Sequence, residues 1–509
     1  MVRVGAGAVV MENLCVRERP LNPPVRRYGA MLASTVLAAA LAGCGTSPVK
    51  TVSRTLFGGG ESSPYLSGYI GNVVADEPQA AMAARDVLAR GGNAADAAAA
   101  MGMTLAVTLP SRASMGAGGA CLAYRPGDGQ GGRAFLFTPV AGAAATNAGT
   151  APAGERVDRP AAVPMLARGL YLMHLRYGSV EFGETLSPAL GLARNGMTVG
   201  RGLANDLAAV EAPLMADPGA RALFSRNDGK ILTEGDTLVQ SRLAGVLEQI
   251  RSVGVGDLYN GALAASFVAG SQAAGGGLAS ADLRSAVPAE TPPLTVMSGG
   301  TTVAFLPPPA DGGLGSAVAF HALSAGGQPG QVAQAAVAAW RARTPGAHDA
   351  DDLVAQAQAL VESGTVVGGG ALPHLPASTS FAVVDRHGGA VACALTMDNL
   401  FGTGRVAGST GIVMAASPQR LPRPLLTAAI ASRDRGFRAA VTGSGQNDAA
   451  DAVAAEMQQV LAGQDPGARP VTANGRINAI SCPHGLPGGE GSCVGGTDAR
   501  GAGLAVGSE

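Results

Sequence analysis

Thiols and hydroxyls are the side chains here that could do covalent chemistry, and their spacing decides which chemistry. Of the six cysteines, Cys482 and Cys493 bracket the run SCPHGLPGGEGSC. That stretch is rich in Gly and Pro and has little core of its own, so a disulfide closing it is the expected use. A metal site there is the weaker reading, because His484 is the only imidazole nearby and no paired CxxC accompanies it. Cys121 and Cys393 lie in apolar runs and read as buried small hydrophobes rather than reactive thiols. Ser378 and Thr379 sit in LPASTSFAVVD, where two hydroxyls taken alone are a polar strand start. No P-loop, dinucleotide fingerprint or HExxH occurs, and no metal or organic cofactor is called for.

These groups need a body and a compartment. With 509 residues, 47% of them hydrophobic and 14% charged, the chain can bury the core of one large or two medium domains. A net charge of -1, without clustered Lys/Arg and interleaved aromatics, argues against a nucleic-acid partner. Arg26 and Arg27 precede the apolar run MLASTVLAAALA, which is too short for a spanning helix of roughly 20 residues and has the shape of an export signal. It ends in Leu-Ala-Gly-Cys44, similar to the lipobox of bacterial lipoproteins, with Gly45 next. The expectation is an export signal with a long N-terminal extension over 1–43, then a tether over 44–66 lipidated at Cys44. The protein would sit at the periplasmic side of the cell envelope, as an outer-membrane lipoprotein touching membrane through that anchor. The extension, which contains Cys15, also fits a start placed too early, with Met31 as one alternative.

Along the folded part, Pro78 suits a first helical position and Gly91 a left-handed stop, while Asn93 and Asp96 form a variant capping box for the next helix. CLAYRP and RAFLFTP read as paired strands. Residues 163–282 are mostly helical, with SRLAGVLEQIRSVG the clearest amphipathic period. Short strands follow in SAVPAETPPLTVMSGGTTVAFLPPPADGG, then helices over about 314–363 with a break at RTPGAHDADD. SFAVVD, the turn RHGG and AVACALTM make the strongest hairpin, apolar on both faces as central strands are. GIVMAA and RAAVTG are expected as a second pair beside it, and ADAVAAEMQQVLAG as a covering helix. The abundance of Ala and of Gly, 75 residues, fits close packing or plain compositional bias.

The run VVADEPQAAMAARDVLARGGNAADAAAAMGMTLAVTLPSRASMGAGGACLAYRP resembles the opening block of the gamma-glutamyltransferase family, above all at Gly91, Gly92, Asn93, Ala94 and Asp96. Further blocks recur in order: AAVPMLARGLYLMHLRYG, GDTLVQSRLAGVLEQIRSVGVGDLYNG, FLPPPADGG, FAVVDRHGGAVACALTMDNLFGTGRVAG and DARGAGLAVG. The resemblance implies an α+β fold, the four-layer αββα N-terminal nucleophile hydrolase sandwich of two stacked sheets flanked by helices. It also implies a precursor that cuts itself into a large-subunit region, 67–377, and a small-subunit region, 378–509, which stay associated. The hydroxyl of the new terminal residue would attack an amide carbonyl, with the freed α-amino group as local base.

The family's nucleophile falls on Ser378 and its following Thr on Thr379; cleavage one residue later would make Thr379 the nucleophile instead. Thr396 matches the hydroxyl that assists it, and Asp398 the Asn that holds the substrate's amino end. The family's oxyanion-forming double glycine becomes GSGQN, with Gln446 and Asn447 at its end after Gly443, Ser444 and Gly445, so the close-approach role of glycine is weakened while backbone N–H groups and the Gln446 and Asn447 side chains could still serve as donors. Other positions depart from the pattern. The Arg that pairs with the donor carboxylate is replaced at about Pro139, and Arg112 or Arg133 could compensate, though each reads as a surface residue. The stretch AASPQRLPRP has no carboxylate where the family holds the donor amine, and the family's Ser-Ser pair becomes Leu426-Thr427. The expected activity is a self-processing amidohydrolase or acyltransferase on a small-molecule or peptide amide, with a donor that need not be glutathione. The alternative is an inactive family member serving as a binding or structural envelope lipoprotein.

Overall fold

The computed structural model describes residues 65–143, 158–328, 330–343, 350–364, 372, 378–419, 423–445, 447–467, 472–489 and 491–507. Cys15, Cys44, Ala377 and Gln446 lie outside the described residues, so the export, lipidation and cleavage expectations fall outside them too.

Strand β1 (Gly71–Ala75) feeds helix α1 (Pro78–Ala89) and then α2 (Ala94–Thr108). Local chemistry sets these boundaries. The Glu77 side chain accepts the N–H groups of Gln79 and Ala80 ahead of Pro78, and Gly91 takes φ +96° past the end of α1. Asn93 and Asp96 cap α2 reciprocally, as their spacing predicts. Burial pushes the Asp96 carboxyl up, but hydrogen bonds from His174, Ser179 and the Asn93 backbone outweigh it and hold the group at about 2. Every residue of α2 is buried, as in a helix that is apolar on all faces and enclosed by its neighbours. A Cβ on Gly169 would lie 2.0 Å from the Phe137 ring, so at this position the small residue is a packing requirement rather than compositional drift.

Two short two-stranded ladders aside, the strands of the two large sheets and several of the helices follow in chain order. They are β2 (Gly118–Tyr124), β3 (Arg133–Phe137), α3 (Leu166–Tyr177), α4 (Ser241–Val253), β4 (Ala289–Thr291), β5 (Leu294–Ser298) and β6 (Thr301–Phe305). Next come α5 (Gly312–Ser324), α6 (Val332–Ala342), α7 (Ala350–Ser363), β7 (Ser378–Asp385) and β8 (Ala390–Thr396). The chain closes with β9 (Thr427–Arg433), β10 (Gly436–Ser444), α8 (Ala449–Leu461), β11 (Arg476–Leu486), β12 (Val494–Thr497) and β13 (Leu504–Gly507). One sheet runs β13-β1-β7-β8-β2-β3-β4 and the other β12-β11-β10-β9-β6-β5.

Strand alternation builds the layers. On β7 and β8, Phe381, Val383, Cys393 and Leu395 join the core beneath α1, α2 and α3. Ala382, Val384, Ala392 and Ala394 face the other way and meet Ile430, Ala440 and Ile480 of the second sheet. The outer face of that sheet, through Ala429, Val441 and Ile477, packs on α5 to α8. The result is the expected four-layer sandwich of helices, sheet, sheet and helices.

Two expectations need correction. RAAVTG is β10, but its partner is β9, residues 427–433, not GIVMAA. The latter forms only isolated bridges, Val406 with Val413 and Ala161 with Ala416, and wraps the end of the first sheet. Cys121 and Cys393 are fully buried as expected, yet they form a disulfide, because the β2–β8 register sets them directly opposite. The expected Cys482–Cys493 disulfide is present.

Candidate active site

The β7–β8 hairpin carries the candidate nucleophiles. Its register pairs Ser378 with Thr396, and alternation then separates the two hydroxyl candidates. Ser378 shares a face with Ser380 and Ala382, toward the second sheet, whereas Thr379 shares one with Phe381, toward the helices. Ser378, Thr379 and Thr396 are all buried in the intact chain.

Across the sheets, β10 ends in Gly443 and Ser444 at this same end. The Gly445 N–H donates to Ser378 Oγ at 3.2 Å. Gly445 has φ +93°, a conformation that turns the chain back and favours glycine. Gly443 is equally constrained, since a Cβ there would meet Val453 at 2.8 Å. Ser444 and Asn447 are buried. The site therefore gathers Ser378, Thr396, Gly443, Ser444, Gly445 and Asn447 at one end of the sandwich.

Asp398 follows two residues after Thr396, its N–H donating to Thr396 Oγ1 at 2.9 Å. It holds φ +60° and is 1% exposed. Neither carboxylate oxygen has a hydrogen-bond partner among the described residues. Burial pushes the carboxyl up to about 7, against the pull of the Arg423 and Arg341 charges. Arg341 is itself tied to Asp311 through two hydrogen bonds of 2.7 and 2.8 Å and donates to the Arg423 carbonyl at 2.9 Å.

Behind Ser378 lies a network that local sequence patterns do not reveal. Asp76 accepts from Thr379 Oγ1 and the Ser380 N–H, both at 3.0 Å, and from Asn478 Nδ2 at 2.9 Å. Arg112 forms a fork with Asp206, two bonds of 2.7 Å, while Ser111 adds a third to the same carboxylate at 2.7 Å. The remaining Arg112 nitrogen reaches the Ser378 carbonyl at 3.4 Å. Expected as a surface residue, Arg112 is instead one partner of a largely buried ion pair, with 20% and 6% of the two side chains exposed. Arg133 is the exposed residue expected, beside Glu290 at 3.7 Å and at the other end of its sheet.

Pro139, about where the family resemblance would put a carboxylate-binding Arg, is buried against Gly118. Thr427 turns its hydroxyl away from the site to Ser316 Oγ at 2.6 Å, and Leu426 is buried. No group of three or more His, Cys, Asp or Glu suited to a metal occurs among the described residues, and no helix among them is long and apolar enough to cross a membrane.

Comparison with known proteins gives a consistent family. The gamma-glutamyltranspeptidase family model matches residues 80–336. The glutathione hydrolase proenzyme of Escherichia coli K12 is 30% identical over 391 residues, covering 68% of this chain and 65% of that protein. The chain thus spans just under two thirds of that relative's length. Glutathione hydrolase 3 of Arabidopsis thaliana is 32% identical over 267 residues, 52% of this chain and 42% of that one. Among solved structures, a cephalosporin acylase from Bacillus halodurans superposes with a TM-score of 0.69 at 18% identity, over 88% of this chain and 99% of that one. The Helicobacter pylori gamma-glutamyltranspeptidase gives 0.51 at 23% identity, over 60% and 95%.

Proposed function

This chain belongs to the gamma-glutamyltranspeptidase family, and from that premise we propose that it is a self-processing amidohydrolase or acyltransferase whose nucleophile is Ser378. The observation that carries the proposal is the Gly445 N–H directed at Ser378 Oγ at 3.2 Å. Cleavage of the Ala377–Ser378 bond frees an α-amino group with a pKa near 8, a base attached to the same residue as the hydroxyl. That amine takes the Oγ proton as Oγ attacks the donor carbonyl, and the Gly445 N–H beside Oγ would donate to the oxygen that becomes negative. The leaving amine takes the proton, and water or an acceptor amine then releases the acyl group from Oγ. Thr379 fits this role less well, because its hydroxyl is committed to Asp76 on the helix-facing side of β7.

Asp398 sets the donor class. A buried carboxylate with both oxygens unpartnered is costly when ionised, and a cationic group on the donor would relieve that cost. With Pro139 in place of an arginine, the donor is an amide whose acyl part carries an ammonium group and does not depend on a guanidinium clamp for its carboxylate; it need not be glutathione.

Intact mass spectrometry of the purified protein after reduction, which opens the Cys121–Cys393 disulfide, tests the reading. Two fragments, the smaller beginning at Ser378, are expected from the native chain and from Thr379→Ala, and a single chain from Ser378→Ala. A smaller fragment beginning at Thr379 would move the nucleophile by one residue. An uncut native chain would overturn the proposal in favour of a binding or structural lipoprotein.

A further inference from the structure

The end of the sandwich remote from the nucleophile has its own character. Ser378 and Asp385 mark the two ends of β7, seven residues or about 23 Å apart. The turns β2–β3, β7–β8 and β9–β10 gather at the Asp385 end, where a Cβ on Gly388 would lie 2.7 Å from the Leu486 carbonyl oxygen. A cavity of about 430 Å³ is lined there by Pro126, Arg433, Asp434, Arg435, Arg438 and His484, among others.

This end carries Arg125, Arg386, Arg433, Arg435, Arg438 and His484. The acids opposing them are few. Asp434 is 85% exposed and only 3.8 Å from Arg433. Asp128 is held by the Arg125 N–H and the Tyr177 hydroxyl. Asp385 turns inward to the N–H groups of Ala94, His387 and Gly389. Among the other described carboxylates nearby, Asp86 is matched by Arg90 and Glu290 by Arg133 and Arg176, while Asp96 is buried against the Asn93 N–H, Ser179 and His174. Among the described residues, Arg386, Arg435 and Arg438 have no ion-pair partner, and the end is left with an excess of positive charge.

Two further observations bear on what this end meets. Asp434 and Arg435 close the β9–β10 hairpin at φ +53° and +61°, left-handed positions that Asn-Gly occupies without strain. Charged side chains are kept where the backbone disfavours them. The described chain also enters the body here. Gly71 opens β1 opposite Asp385, and just before it Tyr65 and Leu66 are 47% and 41% exposed, with Tyr65 beside the Arg90 guanidinium at 5.8 Å. Any segment upstream is joined to the body at its basic end.

We propose that this end is a docking surface for an anionic lipid membrane, seating the arginine-rich hairpin tips on the headgroups and holding the Ser378 end toward solvent. Arginines next to an interfacial tyrosine and leucine suit that boundary. The proposal rests on charge placement and is independent of both catalysis and lipidation.

The test is sedimentation of the full chain carrying Cys44→Ser with vesicles of phosphatidylglycerol or of phosphatidylcholine. Binding to phosphatidylglycerol alone is expected. It should weaken about a hundredfold in a triple Arg433→Gln, Arg435→Gln, Arg438→Gln variant, at about fivefold per charge, and be lost at 1 M salt, where the Debye length is about 3 Å. Equal binding to both lipids, or unchanged binding by the triple variant with native circular dichroism, would overturn the proposal. Release from vesicles by millimolar inorganic phosphate at constant ionic strength would also overturn it, showing a site for a small free anion instead.

Discussion

Replacing Asp398 with Asn should make the protein more stable and less active, by an amount that depends on pH. In the unfolded chain this carboxyl titrates at the ordinary 3.8; in the folded protein burial raises it to about 7. A raised carboxyl favours the native state at low pH, and that advantage is lost as pH rises from the unfolded value through the folded one. Each pH unit inside that window removes about 1.4 kcal/mol. Between pH 5 and pH 8 the native protein should lose about 2.5 kcal/mol from this group alone, and Asp398→Asn, which has no charge to bury, should not. Urea unfolding of both proteins at the two pH values reads the difference directly. The group is 1% exposed, so solvent screening gives little reason to discount it. Turnover of an ammonium-bearing amide should fall in the same variant, the usual opposition between stability and a strained site. A stability difference that is the same at pH 5 and pH 8 would refute the reasoning, because it would mean that Asp398 is not destabilised by its charge.

Other outcomes follow from the network behind the nucleophile and from the core. Asp206→Asn leaves Arg112 buried without its counter-ion and should cost about 3–5 kcal/mol in urea unfolding; a loss below 1 kcal/mol would mean that the fork is relieved by solvent. Asp76→Asn keeps an acceptor for Thr379 but removes the charge, so self-cleavage should slow while the fold persists, read by mass spectrometry against time and circular dichroism. Asp96, held at about 2, contributes about 2 kcal/mol that is fully present above pH 4 and lost as pH falls through 2. Asp96→Asn should narrow the gap in stability between pH 5 and pH 2, as measured by thermal unfolding.

What could be read in the sequence was local. Pro78 at the start of α1 and the Asn93–Asp96 capping box involve residues no more than three apart, and the β7–β8 hairpin is two apolar runs around a Gly-bearing turn, so their patterns are complete within a short window. β9 was hidden because LLTAAIASR is Ala-rich, while GIVMAA, more apolar, is a wrapping segment whose side chains are buried without a ladder. The same divide separates the parts of the site. Ser378, Thr396 and Gly445 lie on recognisable strand ends. Asp76 meets Thr379 and Asn478 across 303 and 402 residues of chain, and no spacing encodes that encounter. Glu77 caps α1, which leaves Asp76 for the neighbouring strand. Arg112 was misjudged for a similar reason, since its partner Asp206 lies on a different helix.

The Cys121–Cys393 disulfide crosses the boundary at which the chain is proposed to divide, whereas Cys482–Cys493 lies wholly on one side of it. Cutting before Ser378 would therefore yield two polypeptides still joined by one covalent bond through the middle of a sheet. Such a molecule would run as a single band without reductant and as two with it. Its halves could not part on dilution, so maturation would be a one-way event in an oxidising compartment, its products unable to exchange with those of another copy.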